Sequence, residues 1–477
     1  MAAWAGTSVV APPLAHAEPA RSSQRSVADW NALRARLRGR VVLPDEADYP
    51  TAKQIFNTRF DAQKPAAIVQ VDTVEDVATA VTFAAHNGLR LAARSGGHSY
   101  AGVSAGTGVM IVDLRKFNRA RYQDGKVIVG PATTLYDVYA ELDQHGQTIP
   151  TGMCPDVGAA GLTLGGGLGF ESRKHGLTCD HLIGATMVLP DGSPLEVSAA
   201  TEPEMLWGLR GGGSLLGVVT SLTYDTVAST RKDLVRLVFP GQHAVRCILG
   251  WVAWLARDTG RDAWCDVSLD ADGTGGLRCW MQLVCPEGTG LGFAAAMMQS
   301  AAVVPVHIER QTMSHMQVVD YLAGGGPTQA RAGFTNGSDV VTEMSEAAAA
   351  AVVDAITAHS AEGGTGWVQI NPLDGAVTDI APDGTAFPWR RHAALVEWGA
   401  YEPIPHAVAA DWITAAHARV AEYSAGGYGN YLESGTPTTR YFGANRARLD
   451  RIRDGIDPHR RIHTVLTDPA LPPGPGR

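Results

Sequence analysis

Cysteine patterns that bind metal are missing from this 477-residue chain. Its six cysteines, Cys154, Cys179, Cys247, Cys265, Cys279 and Cys285, include no CxxC pair and no His/Cys cluster at zinc spacing, so no metal is expected. They are also too few for a disulfide scaffold, although an exported protein could pair two of Cys265, Cys279 and Cys285, which share one strand-rich stretch. Charge is scarce at 18% of residues, the net charge is -9, and no Lys/Arg run exceeds two or three residues. A nucleic-acid partner is thereby disfavoured, because phosphate binding needs a basic stripe. No segment has about 18 consecutive apolar residues, so no membrane span is expected.

The N-terminus lacks the basic start of an export signal. Residues 1–27 nevertheless read as signal-like or as a disordered Ala/Pro tail. Ala15-His16-Ala17 is a small-x-small pattern that fits cleavage before Glu18. The expectation is an exported protein that begins near Glu18, with a cytoplasmic location as the alternative.

Glycine, in contrast, is abundant, with 54 residues, and it concentrates in three places. "RSGGHSY" places Arg94, Ser95, Gly96, Gly97, His98 and Ser99 in one loop. "TGMCPDVGAAGLTLGGGLGF" contains Cys154, Val157, Gly158, Gly161, Gly165, Gly166 and Gly167. "LRGGGSLLGVV" ends in Gly217, Val218 and Val219. A triple glycine does not sit in the middle of a stable helix, since each glycine costs about 1 kcal/mol there relative to alanine. The run reads instead as backbone N–H groups facing one way, a nest suited to pyrophosphate. Three such cradles in one region point to a large dinucleotide. "GLTLGGGLG" does not follow a first strand in the Rossmann manner and has no acidic residue at the expected distance, so NAD is disfavoured and FAD remains.

The rest of the chain reads as an α+β protein. Strands are expected at 66–71, across "LRLAARSGG", "GVMIVDL" and "KVIVGP", and over "GVVTSLTYDTV". A helix is expected over "TVEDVATAVTFAAHNG", with Thr73 and Asp76 resembling a capping box, and another over "TTLYDVYAELDQHG". Asp191-Gly192 marks a hairpin turn. From about residue 230, strands such as "LVRLVF" and "LRCWMQLVC" alternate with helices, and "NRARLDRIRDGIDP" is a basic helix stopped at Pro458. The expected organisation is an FAD-binding domain over 28–228, a substrate domain with an antiparallel sheet over 229–425, and a C-terminal segment, 426–477, returning to the FAD domain.

Taken together, "RSGGHSYAG", "CPDVGAAGLTLGGGLGFESRKHG", "LRGGGSLLGVVT" and "YGNYLES...RYFGANRARLDRIRDGIDP" resemble the berberine-bridge-enzyme-like FAD-linked oxidases. The resemblance runs from about residue 30 to 465. It implies a two-part FAD domain of the p-cresol methylhydroxylase type and a cofactor attached at two points. His98 matches the histidine joined to the flavin 8α-methyl carbon, and Cys154 the cysteine joined to flavin C6. Imidazole nitrogen and thiolate are both nucleophiles, as such attachment needs. Val157 matches a residue that admits O2 to the flavin. The Tyr-x-Asn-Tyr pattern falls on Tyr428, Asn430 and Tyr431. Tyr431 stands for the base, which as a phenolate would need a nearby cation or donor, and Asn430 for a flavin contact. An aromatic strand there would point Tyr428 and Tyr431 to opposite faces.

The implied activity is hydride transfer from a sugar or secondary-metabolite alcohol to FAD, with reoxidation by O2 to hydrogen peroxide. Oxidative cyclisation or amine or C–H oxidation in secondary metabolism on the same flavin is the first alternative, and a non-catalytic secreted flavoprotein the second. Leu373 and Asp374 stand where some relatives have a second tyrosine, and Leu215-Leu216 where some have an aromatic residue or Asn. Gln369, Asn371, Trp389 and Glu397 are the candidates for the substrate wall. A monomer or homodimer is expected.

Overall fold

The computed structural model describes residues 28–257 and 260–466. The signal-like reading of the first 27 residues lies outside the described residues.

Short β-branched runs build the first sheet, in the order Arg40–Val42, Ala67–Gln70, Met110–Asp113, Leu91–Arg94. The last three strands pair in parallel, and Arg40–Val42 adds an antiparallel edge. Val41, Val69 and Val112 pack under the helix Val74–His86, and Ile68 and Ile111 fill the opposite face against Tyr49 and Ala52. Thr73 caps that helix by accepting from the Asp76 N–H. The Asp76 carboxylate turns instead to the N–H groups of Arg38, Gly39 and Asp72. Only half of the expected capping box therefore forms.

The second sheet has five strands between Ala120 and Asp225, with Val218–Asp225 at its centre. The hairpin expected at Asp191-Gly192 joins Leu182–Val188 to Pro194–Ser198. Gly192 supplies the positive φ, 94°, that the turn requires. Val188 and Val218 from this sheet enter the core of the first, so the two parts share one interior.

An eight-stranded antiparallel sheet follows, made of strands between Lys232 and Gly426. Its last strand, Ser424–Gly426, straddles the expected boundary after residue 425. Alternation divides its residues between two faces. Val368, Ile370, Val396 and Trp398 face the helices Ala244–Ala256, Glu346–Ala361 and His406–Val420. Gln369 and Glu397 alternate with these and take the opposite face, which turns toward the FAD-binding part. Asn57 of that part donates to the Phe334 carbonyl at 2.9 Å, and Tyr100 donates to Glu397 at 3.2 Å. After the sheet, the chain returns to the first part: Leu91 and His463 N–H groups bond the Arg461 and Leu91 carbonyls.

All six cysteines are free. The disulfide considered among Cys265, Cys279 and Cys285 is corrected by register. Cys265 faces Leu283, Cys279 faces Leu269, and Cys285 faces Asp233. No two of the three are cross-strand partners, and each fills space in the apolar layer under the helices.

Candidate active site

Two loops cross where the first and second glycine motifs meet. A Cβ on Gly96 would lie 2.5 Å from the Gly158 nitrogen, and a Cβ on Gly158 would collide with Ser95 Oγ and Gly96 N. Only glycine on both sides permits this approach. The Ser95 hydroxyl donates to the Pro131 carbonyl at 2.6 Å, and Ser99 Oγ accepts from Val103 N–H at 3.1 Å. Gly97 turns the chain at φ 78°. The crossing brings the two candidate nucleophiles onto one carboxylate. His98 Nε2 lies 3.3 Å from Asp156 Oδ1, and Asp156 acts electrostatically on Cys154. Among the described residues Cys154 is the exposed cysteine, whereas the other five are buried. A free thiol left open in this way departs from the usual buried cysteine.

The wall opposite comes from the large sheet and the C-terminal segment. Tyr431 and Tyr100 stack with ring centroids 4.9 Å apart and planes 4° from parallel. The Tyr100 hydroxyl donates to Glu397 at 3.2 Å, Asn336 Nδ2 donates to it at 2.7 Å, and the Tyr431 phenol interacts electrostatically with the same carboxyl. Burial pushes the Glu397 carboxyl up to about 7, against the opposing effect of those three groups. Burial first, and then the Glu397 charge, raise Tyr431 well above an ordinary phenol. Tyr428 and Cys154 add to that rise, and none of these neighbours is a cation. The support expected for a Tyr431 phenolate is thus replaced by a carboxyl group placed to take the phenol's proton. Although Cys154 is open to solvent on one side, desolvation by the groups packed around its thiol, then Glu397 and Asp156, push it up to about 12.

The expected strand at Tyr428 and Tyr431 is absent. Strand pairing stops at Gly426, and Tyr431 N–H returns to the Tyr428 carbonyl at 2.8 Å in a tight turn. The two rings are therefore neighbours, 4.9 Å apart and edge to face, instead of pointing to opposite faces. The Tyr428 hydroxyl accepts from Gly167 N–H at 2.8 Å and from Asn430 Nδ2 at 2.9 Å, which fixes the turn. Asn430 also donates to the Leu162 carbonyl at 2.9 Å.

Several glycines serve packing and not an anion nest. Gly166 N–H goes to Thr163, Gly167 N–H to Tyr428, and Gly213 N–H to Leu164. A Cβ on Gly165 would strike Asn430, and one on Gly166 or Gly211 would press on Phe387. Gly217 lets its strand start against the Val188 carbonyl, and Val218 and Val219 are buried in the two sheet cores. Gly161 differs: it is exposed, and a Cβ there would meet nothing within 4 Å. Val157 is half-buried, its carbonyl accepting from Leu135 N–H at 2.9 Å. Arg94 is buried against Asp113 at 3.0 Å and donates to the Ala52 carbonyl at 2.7 Å, so it braces the loop from behind.

Of the wall candidates, Glu397 is at the centre of the site. Gln369 pairs with it across the sheet and donates to Asp266 at 2.6 Å. Asn371 is buried further along the same strand. Trp389 is not a wall residue: it is buried, and its indole N–H donates to the Gly427 carbonyl at 2.8 Å. Leu373 packs in the same apolar cluster as Trp389, and Asp374 pairs with Arg173 at 3.0 Å. Sequence reasoning missed Asp156, Tyr100 and Asn336. The first two lie inside the quoted motifs, at their less conspicuous positions, whereas Asn336 carried no local signal.

An exposed thiol and a histidine on two glycine-crossed loops, facing a buried carboxyl and phenol, fit a flat redox cofactor held by its ring. The comparisons with known proteins agree. Residues 65–198 match the family model of an FAD binding domain. An uncharacterized FAD-linked oxidoreductase of Bacillus subtilis is 26% identical over 451 residues, 92% of this chain and 98% of the relative. A chitooligosaccharide oxidase of Gibberella zeae is 39% identical over 181 residues, a match that spans 37% of each protein. Among solved structures, Physcomitrella patens BBE-like 1 superposes with a TM-score of 0.84 at 23% identity, over 92% of this chain and 99% of that one. The glucooligosaccharide oxidase of Acremonium strictum, described with a 6-S-cysteinyl, 8α-N1-histidyl FAD, gives 0.81 at 23% identity, over 92% and 99%. The chain therefore has the berberine-bridge-enzyme-like fold, carries an FAD binding domain, and is an FAD-linked oxidoreductase with FAD as its cofactor.

Proposed function

We propose that this protein is an oxidase acting on the hydroxyl-bearing carbon of a carbohydrate, with FAD joined to both His98 and Cys154. The observation that carries this reading is the Tyr431–Glu397 pair set beside the exposed Cys154. Bound FAD supplies the two-electron acceptor that takes a hydride from the substrate and passes the electrons to O2, giving hydrogen peroxide.

The side chains supply proton handling and position. Loss of hydride from a C–OH leaves a proton to be removed, and a base must sit within hydrogen-bond reach of it. Tyr431 receives the substrate hydroxyl's proton while its own passes to Glu397. A carboxyl near neutrality is matched to that task at physiological pH. Asn336 and Tyr100 hold Glu397 in place.

The carbohydrate assignment has two supports. One is the match to an enzyme named as a chitooligosaccharide oxidase. The other is an aromatic surface on the same sheet face: Trp367 and Tyr401 stack at 4.5 Å, Tyr401 is 55% exposed, and it lies within electrostatic reach of Cys154 and Glu397. Such a surface suits the apolar face of a pyranose ring. The test is anaerobic mixing with oligosaccharides, simple alcohols and amines, followed at the flavin absorption band. Bleaching by an oligosaccharide, and peroxide release on admitting O2, are expected. Bleaching by amines alone would transfer the assignment to amine oxidation.

A further inference from the structure

The His98 ring is held by two neighbours. Its ring stacks on Phe56 at 4.2 Å and 23°. Phe56 is itself tied back by its N–H to the Gly97 carbonyl at 3.0 Å. One ring nitrogen, Nε2, faces Asp156 Oδ1 at 3.3 Å, and the other Asp156 oxygen accepts from Gln329 N–H at 3.3 Å. Both side chains are largely shielded, with 14% and 17% of their surface exposed. Burial works against the Asp156 charge, but His98 and backbone N–H groups outweigh it and hold the carboxyl below its usual range.

We propose that Asp156 is the positioning residue for attachment of the flavin to His98: by accepting the Nε2 proton it fixes the tautomer whose lone pair is on Nδ1, and it faces the positive charge that attachment creates. This inference rests on the reading of His98 as an attachment point. A neutral imidazole has one N–H and one lone pair, and the group bonding the N–H decides which nitrogen is free to attack. In the step, the Nδ1 lone pair forms a bond to the 8α-methyl carbon and one C–H bond of that methyl breaks. Its proton leaves to solvent, and its two electrons stay on the flavin ring until O2 accepts them with two protons as hydrogen peroxide. The imidazole ends as a cation with its Nε2–H still on Asp156. Cys154 gains nothing from this arrangement, since the same carboxylate raises its thiol. Asp156 therefore favours one attachment and not the other.

That asymmetry is the test. Full-length Cys154→Ala protein reports only the histidine bond, and His98→Ala protein only the cysteine bond. Each is prepared with and without Asp156→Asn, given excess FAD, and sampled over time for acid-stable flavin by in-gel fluorescence and intact mass. Asp156→Asn is expected to slow attachment in the Cys154→Ala chain by about 10–100-fold, the usual effect of losing a partner that orients a histidine. Attachment in the His98→Ala chain should not slow, and Asp156→Glu should restore most of the histidine rate. Non-covalent FAD binding, measured in the His98→Ala/Cys154→Ala chain, should be the same with and without Asp156→Asn. An unchanged histidine rate, an equal loss in both backgrounds, or loss of non-covalent binding would overturn the inference. If the Cys154→Ala parent took up no acid-stable flavin at all, the attachment at His98 would itself be refuted, and the inference with it.

Discussion

Tyr100 and Tyr431, far apart in sequence, lie ring on ring at 4.9 Å, Tyr100 donating to Glu397 at 3.2 Å and Tyr431 within electrostatic reach of the same carboxyl. Three parts of the chain thus converge on one carboxyl: the loop after His98, the large sheet, and the C-terminal turn. The arrangement makes the phenol and the acid a single proton-handling unit.

Removing either member should slow flavin reduction without disturbing flavin content. Tyr431→Phe and Glu397→Gln are each expected to lower the anaerobic reduction rate by about 10²–10⁴-fold, the range of a positioned base. The double variant should lose little more than either single one, because the two act as a unit. Tyr100→Phe removes one hydrogen bond to Glu397 and should stay within about tenfold. Stopped-flow reduction of the four proteins distinguishes these outcomes, and a near-normal rate in Tyr431→Phe would remove the phenol from the mechanism.

The pH profile follows from the carboxyl. With its pKa raised to about 7, Glu397 is protonated below neutrality and can accept no proton there. The reduction rate should therefore rise with pH through about 7 and level off above it. In Glu397→Gln this inflection should vanish, leaving a low, flat profile between pH 5.5 and 8.5 (roughly the range in which only this group changes charge in the pair).

Acid precipitation tests the two attachments. His98→Ala and Cys154→Ala should each retain acid-stable flavin through the remaining bond, and the double variant should release all of it. Release of all flavin by either single variant would reduce the linkage to one bond.

The crossing of the two loops is a steric demand. Gly158→Ala places a methyl against Ser95 and Gly96 and should destabilise the protein by about 1–3 kcal/mol while reducing FAD uptake. Gly161→Ala, inside the helix Ala159–Gly165 and with nothing within 4 Å, should stabilise the protein by up to about 1 kcal/mol. Thermal melts of the two variants, with flavin content measured in parallel, check both.

His417 anchors the segment that carries Tyr431. Its ring pairs with Asp339 at 2.6 Å and Glu433 at 2.9 Å. Burial opposes its charge, but these two carboxylates prevail and raise it to about 9. A raised histidine stabilises the fold fully below its unfolded pKa of about 6.5 and loses that effect as pH rises through about 9. His417→Asn should thus cost roughly 3–5 kcal/mol near pH 6, as for breaking a shielded pair, and much less at pH 10. Melting curves at the two pH values would show the gap narrowing.

Legible in the sequence alone were the two glycine-flanked motifs that carry His98 and Cys154, the helices with clear caps and the strands with clear β runs, because each depends on neighbours in the chain. Thr73 before an apolar helix, Asp191-Gly192 between two strands, and Gly96-Gly97-His98 all state their geometry locally. Gly166 and Gly167 were legible as helix breakers but not as packing sites, since the Tyr428 hydroxyl and the Phe387 ring that close on them come from more than 200 residues away. The turn at Tyr428–Tyr431 replaced an expected strand because the side-chain bonds to Gly167 and Leu162 outweigh the local β preference of two tyrosines. The role of Glu397 was decided by tertiary structure alone. A glutamate in a strand is ordinary. Only the alternation that turns it toward the FAD-binding part, and the burial that follows beside Tyr100 and Tyr431, raise its carboxyl toward neutrality and fit it to the base role proposed above.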